Sequence, residues 1–124
     1  MVFAKEILSM LEGKVQSLTA KYDKLPLECD GLTRVLDYIL TQNKVKHKVY
    51  SGSVEYRDTH IPLHFWIELS DGKVVDYRLR MWMKPMGVPH GVFKLKDHPD
   101  LKYMKGATVN FKMTPTMFQI LTTV

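Results

Sequence analysis

The stretch HFWIELSDGKVVD, from His64 to Asp76, contains two runs rich in β-branched and aromatic residues on either side of the turn sequence SDG. Runs of this composition are typical of β-strands, and a short connection that contains glycine joins such strands into an antiparallel hairpin. The stretch therefore predicts a hairpin that starts at a histidine and ends at an aspartate. The length of its turn decides whether these two side chains lie on the same face of the sheet.

A two-residue turn formed by Asp71 and Gly72 is the first possibility. It would pair Ile67 with Asp76, so that the carboxylate and His64 lie on opposite faces of the sheet. The histidine and the aspartate would then be no more than the outer ends of a hairpin.

A three-residue turn over 70–72, with its glycine in the left-handed conformation, is the second possibility. It pairs Trp66 with Asp76 and His64 with Arg78, which makes Asp76 a diagonal neighbour of His64 on one face. Diagonal positions lie about 7 Å apart at the backbone, a gap that a carboxylate and an imidazole can bridge. Both turns suit the sequence SDG, and the periodicity does not choose between them.

Two amphipathic helices are predicted before the hairpin, because apolar residues recur there at intervals of three and four. The stretch YDKLPLE separates the helices, since Pro26 is costly inside a helix. The second helix begins near Cys29 and closes at the polar residues 41–44. The apolar stripe of the first helix comprises Phe3, Ile7, Leu8, Leu11, Val15 and Leu18, and that of the second comprises Leu32, Val35, Leu36, Ile39 and Leu40.

The apolar period changes to two near residue 46, which predicts β-structure in the rest of the chain. Thr114 can then cap a short C-terminal helix with Pro115 in its first turn. We expect strands over 47–56, 62–69, 73–83 and 107–113, a connection over 57–62, and a long surface excursion over 84–103. The last helix is expected to bury Met117, Phe118, Ile120 and Leu121.

This order of elements predicts an α+β fold in a single domain spanning residues 1–124. The N-terminal helices would pack on an antiparallel sheet of about four strands, and the short helix would follow. A chain of 124 residues is too short to divide comfortably into two hydrophobic cores.

The composition excludes several classes of protein. The single cysteine excludes an internal disulfide framework and a multi-cysteine zinc site, and no spacing of histidines and carboxylates predicts a metal or another cofactor. The residues that give the net charge of +5 are scattered along the chain and form no basic cluster, so the sequence does not predict a nucleic-acid partner. No apolar run reaches the length of a membrane span and no secretory signal is recognisable, so we expect a cytoplasmic protein.

Cys29 is the candidate nucleophile. On a helical wheel it lies on the same side as Leu32 and Leu36, and it stands at the start of its helix. The positive end of the helix dipole and the unpaired N–H groups there favour a thiolate and can bind an oxyanion. The alternative is that Cys29 is a small buried hydrophobe, as free cysteines often are.

Three dispersed residues can form one catalytic centre if the turn has three residues. His64 would accept the proton of the Cys29 thiol and later deliver it to the leaving group, and Asp76 would orient the imidazole. Taken separately, each residue has an ordinary structural alternative: a satisfied core histidine, or a carboxylate that pairs with Arg78 or Arg80.

The order Cys29, His64, Asp76, with the cysteine opening a helix and the others on successive strands, resembles the transglutaminase-like and arylamine N-acetyltransferase-like branch of the papain-like cysteine enzymes. In that branch a segment of the form His, any residue, Trp, any residue, Glu is followed by a Gly-containing turn and Asp. The resemblance covers roughly residues 27 to 83. The residues that match the segment are His64, Trp66, Glu68, Gly72 and Asp76.

The resemblance implies a papain-like core and acyl transfer at a carbonyl: hydrolysis of an amide or isopeptide, deamidation, or transfer to an amine. The substrate would be a protein, a peptide or a small amide or acyl compound, and no cofactor would be needed. The glutamine that often precedes the cysteine in papain-like enzymes is absent from KYDKLPLE, so the second oxyanion donor is unassigned. Tyr22, Trp66, Trp82 or a backbone amide are the candidates.

The remaining candidates concern substrate binding. Arg78, across from His64 in the three-residue register, can steer a carboxylate-bearing substrate, and His90 can line a pocket. Trp66 and Trp82 complete the expected substrate-binding set. The competing hypothesis is a non-catalytic binding module on the same fold, which would engage an anionic protein or nucleic acid through its basic surface. The sequence does not indicate the oligomeric state.

Overall fold

A computed structural model describes residues 4–83 and 87–123, with side chains described from Met10 onward. The helices are α1 (Ala4–Thr19), α2 (Cys29–Gln42), α3 (Arg80–Met83) and α4 (Pro115–Thr122). The strands are β1 (His47–Tyr56), β2 (Thr59–Leu69), β3 (Val74–Asp76), β4 (Gly91–Phe93) and β5 (Leu101–Val109). Within these residues, no helix combines the length and the apolar character that crossing a membrane requires.

The described strands form one antiparallel sheet in the order β4-β3-β2-β1-β5. The predicted α+β class, with N-terminal helices and a C-terminal helix, is confirmed. The expected number of about four strands was too low, because the sheet has five. The strand that was missed, β4, is only three residues long and lies inside the stretch predicted as a surface excursion.

Three predicted strand boundaries were also wrong. The strand expected over 73–83 ends at Asp76 and gives way to α3, because the Asp76 carboxylate accepts the backbone N–H of Arg78 at 3.0 Å. Such a side-chain contact to the backbone two residues ahead turns the chain out of the sheet. The turn between β1 and β2 contains only residues 57–58, and β5 lies earlier than the predicted 107–113.

The buried apolar side chains form two clusters, one of them shared with the helices. The cluster that includes α1 and α2 comprises Val15, Leu32, Leu36, Leu40, Val45, Val49, Ile67, Leu69, Val75 and Tyr77. The other comprises Val54, Tyr56, Ile61, Trp66, Val74, Leu79, Met83, Val88, Phe93 and Leu101. Because alternate strand residues point to opposite faces, the helices cover the face of Ile67 and Val75, and His64 shares the other face with Trp66.

The C-terminal helix begins as predicted, with Thr114 accepting the N–H of Met117 at 3.1 Å and Pro115 in the first turn. Its expected burial is wrong, because Met117 and Ile120 are exposed and Phe118 and Leu121 are only partly buried. Phe118 packs on the rings of Tyr22 and Tyr38. In the first helix, Phe3 and the side chains of Ile7 and Leu8 lie outside the described residues.

Candidate active site

The hairpin has the three-residue turn. Ile67 pairs with Val75 and Glu68 with Val74, a register that places Trp66 opposite Asp76. The N–H of Leu69 bonds the carbonyl of Lys73 at 2.8 Å, and Gly72 takes a φ of +89°. Glycine suits this position because a left-handed φ costs it no steric strain. The expected pairing of His64 with Arg78 does not form, because β3 ends at Asp76.

His64 and Asp76 form a buried pair. The Nε2 atom of His64 lies 2.7 Å from Oδ2 of Asp76, and the two side chains are 0% and 1% exposed. Asp76 therefore fixes the orientation of the imidazole and leaves Nδ1 as its free nitrogen. Nδ1 is buried and makes no hydrogen bond of good geometry within the described residues.

Cys29 lies beside this imidazole. It is the first residue of α2, is partly exposed, and follows Glu28, whose side chain does not cap the helix. Burial opposes charge on His64, but the attraction and hydrogen bond of Asp76, with further contributions from the Cys29 side chain, raise the pKa of His64 from 6.5 to about 10. The imidazole is therefore held as a cation at neutral pH, with the Asp76 carboxylate on one side and the Cys29 side chain on the other.

Tyr103 is a further member of the site that sequence reasoning missed. Its hydroxyl donates to Oδ2 of Asp76 at 2.8 Å, the same oxygen that binds His64, while Oδ1 accepts the N–H of Arg78. Burial and the neighbouring Asp76 raise the pKa of Tyr103 well above 10, so that the phenol remains a donor. Three donors thus hold one carboxylate.

We expect Tyr103→Phe to lower the free energy of unfolding by roughly 1.5–3 kcal/mol, the usual contribution of a hydrogen bond to a charged acceptor. The ring and its packing on Trp66 remain, so the loss reports the hydroxyl alone. Urea denaturation measures the change. Tyr50→Phe is the matched control, since Tyr50 also packs on Trp66 and lies on the neighbouring strand. Equal losses in both variants would contradict this role of the hydroxyl.

Trp66 does not line an opening of the protein. It is 1% exposed, packs between Tyr50 and Tyr103, and its Nε1 has no hydrogen-bond partner among the described residues. Gly52 makes room for the indole, because a Cβ there would lie 2.9 Å from the ring and would overlap the carbonyl oxygen of Met104. The structure thus places Trp66 in the core beneath the pair of His64 and Asp76.

Arg78 is buried, and its guanidinium group is occupied within the chain. It bonds Asp23 and the carbonyl groups of the segment that precedes Cys29. The guanidinium therefore has no free N–H group with which to steer a carboxylate of the substrate, the role expected of Arg78. The side chain of Trp82, on α3, is 60% exposed.

An open groove of about 590 Å³ runs along the segment before Cys29. His90 lies in its wall, as expected of a pocket residue, and its Nε2 contacts Oδ2 of Asp23 at 2.6 Å. Glu28 and Arg80 also line the groove, and both are exposed. Apolar side chains, among them Leu25, Leu27 and Met81, line it as well, and Glu28 is the lining residue that directly precedes α2.

Within residues 4–83 and 87–123, no group of three histidine, cysteine or acidic side chains is arranged to hold a metal ion. Comparison of the chain with models of known protein families, with curated proteins and with solved structures finds no match. The geometry of the residues is therefore what argues for a function.

Proposed function

We propose that the chain is a cysteine-dependent acyl-transfer enzyme of the transglutaminase-like class, built on a papain-like core. Cys29 is the nucleophile, His64 the general base and acid, and Asp76 the orienting group. The observation that carries this proposal is a fully buried imidazole with one nitrogen fixed by a carboxylate and the other nitrogen unpartnered beside a thiol at a helix start.

The reaction follows from these positions. In the resting enzyme His64 already holds the proton that Cys29 has given up, and the thiolate attacks a carbonyl carbon of the substrate to form a C–S bond. The first-turn N–H groups of α2 are placed to bind the oxyanion. His64 then gives the proton to the leaving amine as the C–N bond breaks, and water or a second amine releases the acyl group from the sulfur.

The groove beside Glu28 is the proposed path for the acyl donor, a protein, a peptide or a small amide. Its volume falls in the range of ligand sites, and both apolar and polar side chains line it. A free thiol nucleophile suits a reducing compartment, so we propose a cytoplasmic location.

Acylation by p-nitrophenyl acetate tests the proposal. The acetyl group moves from the phenolic oxygen to the Cys29 sulfur, breaking the C–O bond and releasing p-nitrophenolate. We expect a burst of nitrophenolate equal to the amount of protein, with one acetyl group on Cys29 by mass spectrometry. Hydrolysis of the thioester then gives slow turnover.

Two variants complete this experiment. Cys29→Ala is expected to lose the burst, and His64→Gln to slow it strongly while remaining folded. A burst that persists in Cys29→Ala, or acetyl groups found on lysines at the same rate as on Cys29, would contradict the enzyme proposal.

A further inference from the structure

We infer that Arg78 is a positioning residue, which sets the Cys29 sulfur against His64 by tying the segment 23–28 to the end of β3. The contacts of its guanidinium group carry this inference. Its catalytic consequence rests on the function proposed above.

All five N–H donors of the Arg78 guanidinium are used within the chain. Nε donates to the carbonyl oxygen of Leu27 at 2.6 Å. One terminal nitrogen donates to Oδ1 of Asp23 at 2.7 Å and to the carbonyl oxygen of Tyr77, the residue before Arg78, at 2.8 Å. The other donates to the carbonyls of Asp23 and Leu25, both at 3.0 Å.

The same residue also touches the orienting carboxylate. The backbone N–H of Arg78 donates to Oδ1 of Asp76 at 3.0 Å, while its side chain holds Leu27, two residues before Cys29. Arg78 therefore connects Asp76, the carboxylate of the candidate triad, to the segment that directly precedes Cys29.

Asp23 makes this arrangement rigid. Its Oδ2 contacts Nε2 of His90 at 2.6 Å while Oδ1 binds Arg78. Burial works against the charge of Asp23, but the hydrogen bonds of His90 and Arg78 lower its pKa below the usual 3.8. The carboxylate thus stays ionised at neutral pH and holds Arg78 from the groove side.

Lysine cannot replace this group. An ammonium has three donors on a flexible stem, whereas the planar guanidinium directs five donors to fixed places. The buried or partly buried carbonyls of Asp23, Leu25 and Leu27 would lose partners in Arg78→Lys, and the segment before Cys29 would open locally. The pair of His64 and Asp76, held also by Tyr103, would remain.

The test compares Arg78→Lys with Arg57→Lys, a change at an exposed arginine that contacts Asp100 and does not line the groove. We expect amide hydrogen exchange at residues 24–29 to accelerate about tenfold or more in Arg78→Lys and not in Arg57→Lys. The pH profile of Cys29 alkylation by iodoacetamide, measured where each variant is folded, is expected to shift toward that of an ordinary thiol only in Arg78→Lys.

Three results would overturn the inference. The first is that the two variants show equal hydrogen exchange and equal pH profiles of alkylation, and the second is that exchange accelerates uniformly across α2 and β2. The third is that exchange at residues 24–29 accelerates in Arg78→Lys while the pH profile of Cys29 alkylation stays unchanged. If Arg78→Lys does not fold, Asp23→Asn is the second variant, with smaller shifts expected in the same direction. Failure of the proposed function is distinguishable, because a wild-type Cys29 that already reacts like an ordinary thiol would refute the enzyme while the exchange data still test Arg78.

Discussion

Replacing His64 by glutamine is expected to slow the alkylation of Cys29 at about pH 6 roughly a hundred-fold, because an ordinary thiol is ionised to well under 1% there. In the wild-type protein, the proposed thiolate faces an imidazole that holds its proton up to a pKa of about 10. Glutamine is neutral and takes no proton from the thiol. It can still donate a hydrogen bond to Asp76, so the buried carboxylate keeps a partner.

Iodoacetamide labelling followed by mass spectrometry gives the rate at Cys29 directly. The matched control is His98→Gln, since His98 is a partly buried histidine that packs on Phe93, away from the candidate site. The alkylation rates of wild type and His64→Gln should converge at alkaline pH, where any thiol ionises. Equal rates for wild type and His64→Gln at about pH 6 would show that the thiol of Cys29 does not use the imidazole.

The hairpin shows where sequence reasoning stopped short. The stretch fixed two strands and a turn but left two registers open, because Val74 and Val75 are both apolar and either can face the core. A shift of the strand register by one residue therefore exchanges one valine for the other in the core, and the apolar pattern does not distinguish the two registers. The Asp71 carboxylate, which binds both the N–H and the ammonium of Lys73, supports the observed turn and has no signature in the periodicity.

The residues that were missed or misjudged depend on contacts between distant parts of the chain. Tyr103 reaches Asp76 from the edge strand β5, three positions away from β3 in the sheet, and no local spacing indicates such a pair. Arg78 looked like a strand residue facing a substrate because the pattern continued past Asp76. The turn at Asp76 instead sends its side chain to Leu27 and the rest of the segment before Cys29. By contrast, the start of α2 at Cys29 was predictable from local signals alone.

The substitution Asp76→Asn is expected to cost roughly 3 kcal/mol of folding stability near neutral pH, the scale seen when one partner of a buried pair is removed. It should also change how stability depends on pH. The folded wild-type protein keeps the His64 proton up to about 10, whereas the unfolded chain loses it near 6.5. The contribution of the pair is thus fully present below 6.5 and is lost as the pH rises toward 10.

The slope within that window is up to about 1.4 kcal/mol per pH unit for one proton. Asp76→Asn should flatten it, because a neutral amide no longer attracts the imidazolium and burial, which lowers the pKa of His64, loses its main opponent. Urea denaturation across the window measures both effects. His47, whose pKa is raised by Asp37 and the carbonyl of Val45 against the effect of burial, adds a slope of its own in wild type and in Asp76→Asn alike.

Asp37→Asn separates the two histidines, since it removes the negative charge that faces His47 at 2.6 Å and leaves His64 untouched. The difference in slope between wild type and Asp76→Asn should therefore reappear, unchanged, between Asp37→Asn and the double variant. Parallel profiles for wild type and Asp76→Asn would mean that His64 is neutral in the folded protein. The proton that the mechanism assigns to the leaving group would then have to come from elsewhere.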